Sequence, residues 1–152
     1  MQKVILAAFI IISIASCNKS DTINSDATVA QTSLNVSYGS DNAQKMDVYL
    51  PANRSTVTTK VIIMIHGGGW TGGDKSDFTS FVDTLKRRLP GYAIFNLNYR
   101  LSANPNNLFP TQELDVKSAV DYIYSKSSEY KISEKYIIMG ASAGAHLAML
   151  QG

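Results

Sequence analysis

Gly140-Ala141-Ser142-Ala143-Gly144 holds a serine whose hydroxyl is placed to act as a nucleophile. The pentapeptide follows the apolar run Tyr136-Ile137-Ile138-Met139 and precedes the helix-forming run Ala145-His146-Leu147-Ala148-Met149-Leu150. A strand, then Gly-x-Ser-x-Gly, then a helix makes a sharp turn with the serine at its tip. Glycines two residues before and two after leave room for the flanks of that turn. The helix that starts there aims backbone N–H groups and the positive end of its dipole at a developing oxyanion. The chemistry this suits is acyl transfer through a serine nucleophile. Alone the pentapeptide is a weak signal, because at average usage, with Gly and Ser each about 7% of residues in proteins, a chance match in a chain of this length is roughly a 5% event.

A second motif adds weight. His66-Gly67-Gly68-Gly69-Trp70 follows the apolar run Val61-Ile62-Ile63-Met64-Ile65. Glycines after a strand let the backbone approach a substrate carbonyl, so their N–H groups can line an oxyanion hole. By composition the tetrapeptide is a chance event on the order of once in a thousand such chains. The bland alternative is two glycine turns in an ordinary α/β domain.

The elements needed to position these motifs are legible. Residues 32–38 alternate through Leu34, Val36 and Tyr38, and residues 46–50 alternate again before Pro51, as half-buried strands do. Gly39-Ser40-Asp41-Asn42 between them is a turn, so the two read as an antiparallel pair at a sheet edge. Residues 61–65 read as a parallel strand covered on both faces. Ser76 is the expected N-cap of a helix whose apolar stripe is Phe78, Phe81, Val82, Leu85 and Leu89, ended by Pro90-Gly91. Residues 92–97 form the next strand, and residues 102–110 a loop rich in Pro and Asn. Pro110 opens a helix with Val116, Ala119, Val120, Ile123 and Tyr124 on one face. Residues 127–133 are a connection, and residues 136–139 the strand that feeds the serine turn. That order is the front of a doubly wound α/β sheet, and no internal repeat interrupts it.

The chain has 152 residues, 45% hydrophobic and 17% charged, enough for one modest domain. Its net charge is +2, and removing residues 1–16 takes away Lys3 alone, leaving +1. That balance does not suit a nucleic-acid partner. Lys86-Arg87-Arg88 is the densest basic cluster and reads as a solvated helix end. Lys3 and the apolar run 4–14 form a targeting segment too short to span a bilayer. Ile14-Ala15-Ser16-Cys17 follows and resembles a bacterial lipobox, which implies cleavage before Cys17 and acylation of its sulfur. Cys17 is the single cysteine, so a disulfide within the chain and a cysteine metal cluster are excluded. No metal or cofactor is expected. Residues 17–30 are polar and small and read as a tether, with the domain over 31–152.

His66-Gly67-Gly68-Gly69-Trp70, Gly73-Asp74-Lys75, Asn98-Tyr99-Arg100-Leu101, Phe109-Pro110, Asp115 and the Ser142 pentapeptide together resemble the carboxylesterases related to hormone-sensitive lipase. Within them the feruloyl/acetyl-xylan esterase-like branch is the nearest resemblance, and Met46-Asp47-Val48-Tyr49-Leu50-Pro51 also fits it. The likeness covers residues 32–152. It implies the N-terminal half of an α/β-hydrolase: a doubly wound, mostly parallel sheet with two antiparallel strands at its start. It implies Ser142 as nucleophile, with the N–H groups of Gly68, Gly69 and Ala143 as oxyanion hole. His66 then supports the loop from its base, and Tyr99 and Arg100 pack and anchor. Trp70 is left between lining an acyl pocket and filling the core. A side chain at Gly68 is expected to cost activity more than stability.

The fold's triad runs Ser, acid, His along the chain. No acidic residue follows Ser142, and His146, one helical turn on, points away from the tip. The chain is therefore expected to be the front of a larger hydrolase and to be inactive by itself. The whole is read as an envelope-facing, lipid-anchored serine esterase acting on small acyl esters or acylated carbohydrate. A serine peptidase on the same fold and a non-catalytic binding lipoprotein are the alternatives.

Overall fold

A computed structural model describes residues 26–152. The leader, Cys17 and residues 18–25 of the expected tether lie outside the described residues. Five strands form one sheet: β1 (Gln31–Ser37), β2 (Lys45–Leu50), β3 (Lys60–Ile65), β4 (Tyr92–Leu97) and β5 (Tyr136–Gly140). Their order across the sheet is β1-β2-β4-β3-β5. β3 runs parallel to both β4 and β5, whereas β2 is antiparallel to β1 and to β4. The sheet is thus mixed, with its parallel part confined to the three strands around β3. Helices α1 (Thr79–Arg88), α2 (Thr111–Ser125), α3 (Ser127–Tyr130) and α4 (Ala143–Met149) complete the fold.

β3 is central because both its faces are apolar. Ile63 and Ile65 point into a core with Phe95, Leu97, Val116, Ala119, Ile123 and Leu147, which places α2 and α4 on that face. Ile62 and Met64 point to the opposite face with Ile94 and Val82 of α1. Residues 61–65 are at most 2% exposed. Burying such a side chain is worth about 1.5–3 kcal/mol, so this strand is the main apolar anchor of the fold.

Local departures from the sequence reading have physical reasons. Leu34 is exposed while Val36 and Tyr38 are buried. The β1 register shifts between Ser33 and Val36, with Asn35 at φ 58°, and one extra residue reverses which face the chain presents. The expected cap Ser76 is replaced by Asp74, which caps a 3-10 turn over Lys75–Phe78 in a reciprocal capping box with Asp77. Phe81 of α1 and Tyr124 of α2, both expected on the apolar face of their helix, are exposed. The connection 127–133 contains the short α3, whose Tyr130 is buried and stacks on Phe95. Arg54 is buried and donates to Tyr130 O at 3.1 Å and to Val29 O at 2.7 Å, and its N–H donates to Ala27 O. Residues 27–29 of the expected tether are therefore held against the domain.

Two polar nodes lie under the C-terminal ends of the parallel strands. In the first, Asp115 is 1% exposed and accepts from Gln44 Nε2, Arg100 N and the Arg100 guanidinium, the last at 2.6 Å from Nη2. In the second, Asp74 accepts from Asn98 Nδ2, Lys75 N donates to Asn98 Oδ1, and Asn96 Nδ2 donates to Lys75 O. Lys75 Nζ then pairs with Asp47 at 2.9 Å, and Asp47 also accepts from Asn35 N at the bulge. These nodes tie the strand ends to the loops above them.

Two outcomes follow. Asp115→Ala leaves Gln44 and Arg100 without their shared acceptor, and loss of one member of a buried pair costs about 3 kcal/mol. Urea unfolding followed by the single tryptophan is expected to show that loss. For Asp74, burial opposes ionisation, but hydrogen bonds from Ser76 and Asn98 and the charge of Lys75 outweigh it and hold the carboxyl at about 2, below its ordinary 3.8. A depressed carboxylate stabilises fully above the ordinary value, and the effect disappears as pH falls towards the lower one. The stability difference between wild type and Asp74→Asn is expected to be constant above about pH 4 and to close as pH falls to about 2. A difference that does not change over that range counts against the carboxylate's role.

Candidate functional site

β3 and β5 pair in parallel with Ile65 opposite Gly140, so both strands end at the same level. The chain leaves β5 through Ala141, whose N–H still donates to Ile65 O at 3.3 Å. Ser142 then turns at φ 49° and ψ −117°, a conformation most L residues avoid, and α4 begins at Ala143. Its side chain lies at the exposed tip, and Ser142 Oγ has no hydrogen-bond partner among the described residues. Gly144 fits because its Cα lies against Ile65 O and His66 O, where any β-carbon would overlap backbone. The turn is therefore clamped onto the end of β3.

The loop after β3 faces this turn. A β-carbon on Gly67 would meet Ala141 O at 2.8 Å and Ser142 Cβ at 3.5 Å. The next three residues all have positive φ: Gly68 at 104°, Gly69 at 60° and Trp70 at 64°. Gly68 O accepts from Thr71 N and Gly72 N, which closes the loop on itself. Below it, buried His66 stacks on Tyr99 at 4.3 Å and its Nδ1 donates to Gly67 O at 2.8 Å. Tyr99 OH donates to His66 O and Gly67 O at 3.2 and 3.3 Å. Burial pushes the Tyr99 phenol up to about 12, so it keeps the proton it donates. With these carbonyls engaged from below, the amides of Gly68 and Gly69 remain without a hydrogen-bond partner among the described residues.

The structure brings Ser142, Ala143 and the Gly68-Gly69 loop to one end of the sheet; Cys17 lies outside the described residues. The expectation for Gly68 is overturned. Its φ is positive, and a β-carbon there would collide with the Gly72 carbonyl. A substitution at 68 therefore disturbs the loop itself and cannot isolate a lost donor. His146 is exposed, sits edge-on to Trp70 at 5.7 Å and makes no side-chain hydrogen bond to Ser142. Trp70 and His146 line a cavity of about 350 Å³ with Gly69, Phe109, Leu147 and Gln112. Trp70 is thus a wall residue at 39% exposure and does not fill the core. No cluster of three or more His, Cys, Asp or Glu residues suited to a metal ion occurs among the described residues.

Sequence reading missed Gln44, Asn96 and Gln112, which are buried and polar. Gln112 Nε2 donates to Arg100 O and Asn107 O and so pins the loop that carries Ser102. Nothing in periodicity marks such residues: Gln44 and Asn96 reach Asp115 and Lys75 far along the chain, and Gln112 bonds backbone carbonyls of the loop before α2.

Comparison with known proteins agrees with this geometry. Esterase LipC of Mycobacterium tuberculosis is 29% identical over 118 residues, which is 77% of this chain and 28% of LipC. Among solved structures, esterase B of Lactobacillus rhamnosis superposes with a TM-score of 0.66 at 27% identity, over 78% of this chain and 38% of that one. A truncated carbohydrate esterase from gut microbiota superposes with a TM-score of 0.65 at 29% identity, over 81% of this chain and 43% of that one. The chain spans under a third of the length of the first curated relatives it matches. Residues 46–152 match the BD-FAE family, which takes in β2, the glycine loop and the Ser142 turn, and the chain belongs to that family on the α/β-hydrolase fold.

Proposed function

We propose that this chain carries the nucleophile and oxyanion machinery of a serine esterase. The observation that supports the reading most is Ser142 itself: a non-glycine residue at positive φ, exposed at a strand-to-helix turn, beside a glycine loop with two unengaged amides. Strain of this kind persists only where the surroundings enforce it. Gly144 on Ile65 O supplies that enforcement.

In the proposed reaction Ser142 Oγ attacks the carbonyl carbon of an ester. Its proton passes to a general base, and the carbonyl oxygen becomes an oxyanion facing the amides of Gly68, Gly69 and Ala143. Collapse of that adduct breaks the bond to the alcohol oxygen, which leaves with a proton. Water then attacks the acyl-serine and releases the acid. Among the described residues no carboxylate or imidazole is hydrogen-bonded to Ser142. The relatives named as an esterase and a carbohydrate esterase support small acyl esters or acylated carbohydrate as substrates. The apolar run 4–14 followed by Ile14-Ala15-Ser16-Cys17 supports a lipid anchor on Cys17 and a place in a bacterial envelope.

Both readings are tested on the protein expressed from its complete reading frame. Ser142→Ala is expected to abolish fluorophosphonate labelling and the burst of acylation. Removing the nucleophile leaves about 10³–10⁴-fold catalysis over water. Ester turnover at the wild-type rate sinks the assignment, and a wild-type protein that takes no probe points to a non-catalytic binding lipoprotein instead. Cys17→Ser is expected to move the protein from the membrane pellet to the soluble fraction. Retention in the pellet at wild-type levels means that something else anchors it.

A further inference from the structure

Charge is distributed unevenly along the strand axis. The N-terminal ends of β3, β4 and β5 lie at the end of the sheet opposite Ser142, as the pairs Lys60–Tyr92 and Val61–Tyr136 show. β1 enters there too, with Gln31 opposite Leu50. Lys60, Lys86, Arg87, Arg88, Lys131 and Lys135 are all exposed at that end. Lys86 and Lys60 lie over the rings of Tyr49 and Tyr92 at 5.1 and 5.7 Å, which sets the last turn of α1 against the end of β2 and the start of β3 against the start of β4. The acids nearby are few. Glu129 pairs with Lys126, Asp26 accepts from Thr28, and Asp83 of α1, whose charge acts on Tyr49, and Glu134 are the others among the described residues. The Ser142 end is the reverse. Lys75 and Arg100 are matched by Asp47 and Asp115, leaving Asp41, Asp74, Asp77 and Glu113 against Lys45.

The described chain begins at this basic end, with residues 27 and 29 bonded to Arg54. From Cys17 to Asp26 the backbone can reach about 30 Å at most. A lipid on Cys17 therefore keeps the basic end close to a bilayer, within a few screening lengths of about 10 Å at 0.1 M salt. Cations that come within one such length of the surface are drawn to anionic headgroups, each raising partition about fivefold there. We propose that this end of the domain docks on anionic phospholipid headgroups, which turns the Ser142 end away from the membrane. The proposal rests on the lipid-anchor reading for its geometry.

The test uses the lipidated full-length protein in vesicles of phosphatidylcholine alone or mixed two to one with phosphatidylglycerol, each containing a headgroup nitroxide. Val57→Cys, in the exposed loop at the basic end, and Ser80→Cys, in the first turn of α1, carry a fluorophore; with Cys17 acylated, the new thiol is the only free one. Quenching is expected at 57 and not at 80, only in the mixed vesicles. It is expected to be lost in high salt and in the triple variant Lys86→Glu, Arg87→Glu, Arg88→Glu. Lys60→Gln with Lys135→Gln reports the same loss with less change of charge, and circular dichroism checks that both variants fold. Equal quenching at 57 and 80, equal quenching in neutral vesicles, or quenching that survives the triple variant overturns the docking. Protein that stays on both vesicle types without a difference between 57 and 80 keeps the anchor and overturns the docking. Protein that leaves neutral vesicles but stays on mixed ones through the same cations keeps the docking and overturns the anchor. Retention on polygalacturonate beads, lost in the triple variant, with no quenching in mixed vesicles assigns the end to an acidic polysaccharide and overturns the proposal.

Discussion

Gly144 lies against the end of β3 so tightly that a β-carbon on it would overlap the Ile65 and His66 carbonyls, and the site depends on that contact. Parallel strands are held about 4.8 Å apart by their hydrogen bonds, so a turn that folds back at a strand end must lie on its neighbour. Here the neighbour offers the carbonyls of Ile65 and His66, and only a residue without a side chain fits above them. That contact fixes where α4 starts, and so where Ser142 and the Ala143 amide lie. It also sets the glycine loop, because the loop leaves β3 from the same two carbonyls. Nucleophile and amide donors are thus positioned by one packing event and not by separate adjustments.

What supports that event is a polar layer beneath the loops. The chain must turn out of β3 and β4 at one level, and every buried carbonyl and carboxylate there requires a partner. Tyr99, Asn98 and Arg100, consecutive in the chain, send side chains to His66 and Gly67, to Asp74, and to Asp115. One short segment after β4 therefore holds the loop after β3, the 3-10 turn and α2 together. Tyr38 OH joins by donating to Asn98 O, which connects β1 as well. Removing one of these groups is expected to loosen the site before it unfolds the sheet, because the apolar core lies below them.

Much of this was legible from residue order. β3 stood out because a continuous β-branched and aliphatic run suits a strand buried on both faces, and β4 falls on residues 92–97 as expected. The Ser142 turn was legible because glycine spacing reports a steric demand that no other residue satisfies. Leu34 misled because alternation assumes an unbroken ladder, and the bulge at Asn35 leaves no mark on hydropathy. Ser76 misled because a serine and an aspartate two residues apart are both good caps, and the choice was made by Asn98, which holds Asp74 from the segment after β4. Gln44 was invisible for the same reason, since its partner Asp115 is brought to it by the fold; Gln112 was invisible because its partners are backbone carbonyls of an irregular loop.

The strain at the site is set against the core beneath it. Ser142 and Trp70 hold positive φ without being glycine, at a cost of about 1–3 kcal/mol each. Ile62, Ile63, Met64 and Ile65 are nearly inaccessible to water, and each contributes about 1.5–3 kcal/mol by burial. The strand that ends at the loop therefore stabilises the domain by more than the loop and the turn destabilise it. This explains why the strained residues stand directly after a strand buried on both faces and at the neighbour it clamps. At a weakly packed strand end the chain would relax Ser142 to negative φ, and its hydroxyl would leave the tip. Strain and hydrophobic burial are in this sense one device: the buried strand supplies the rigidity, and the glycines decide where it is transmitted.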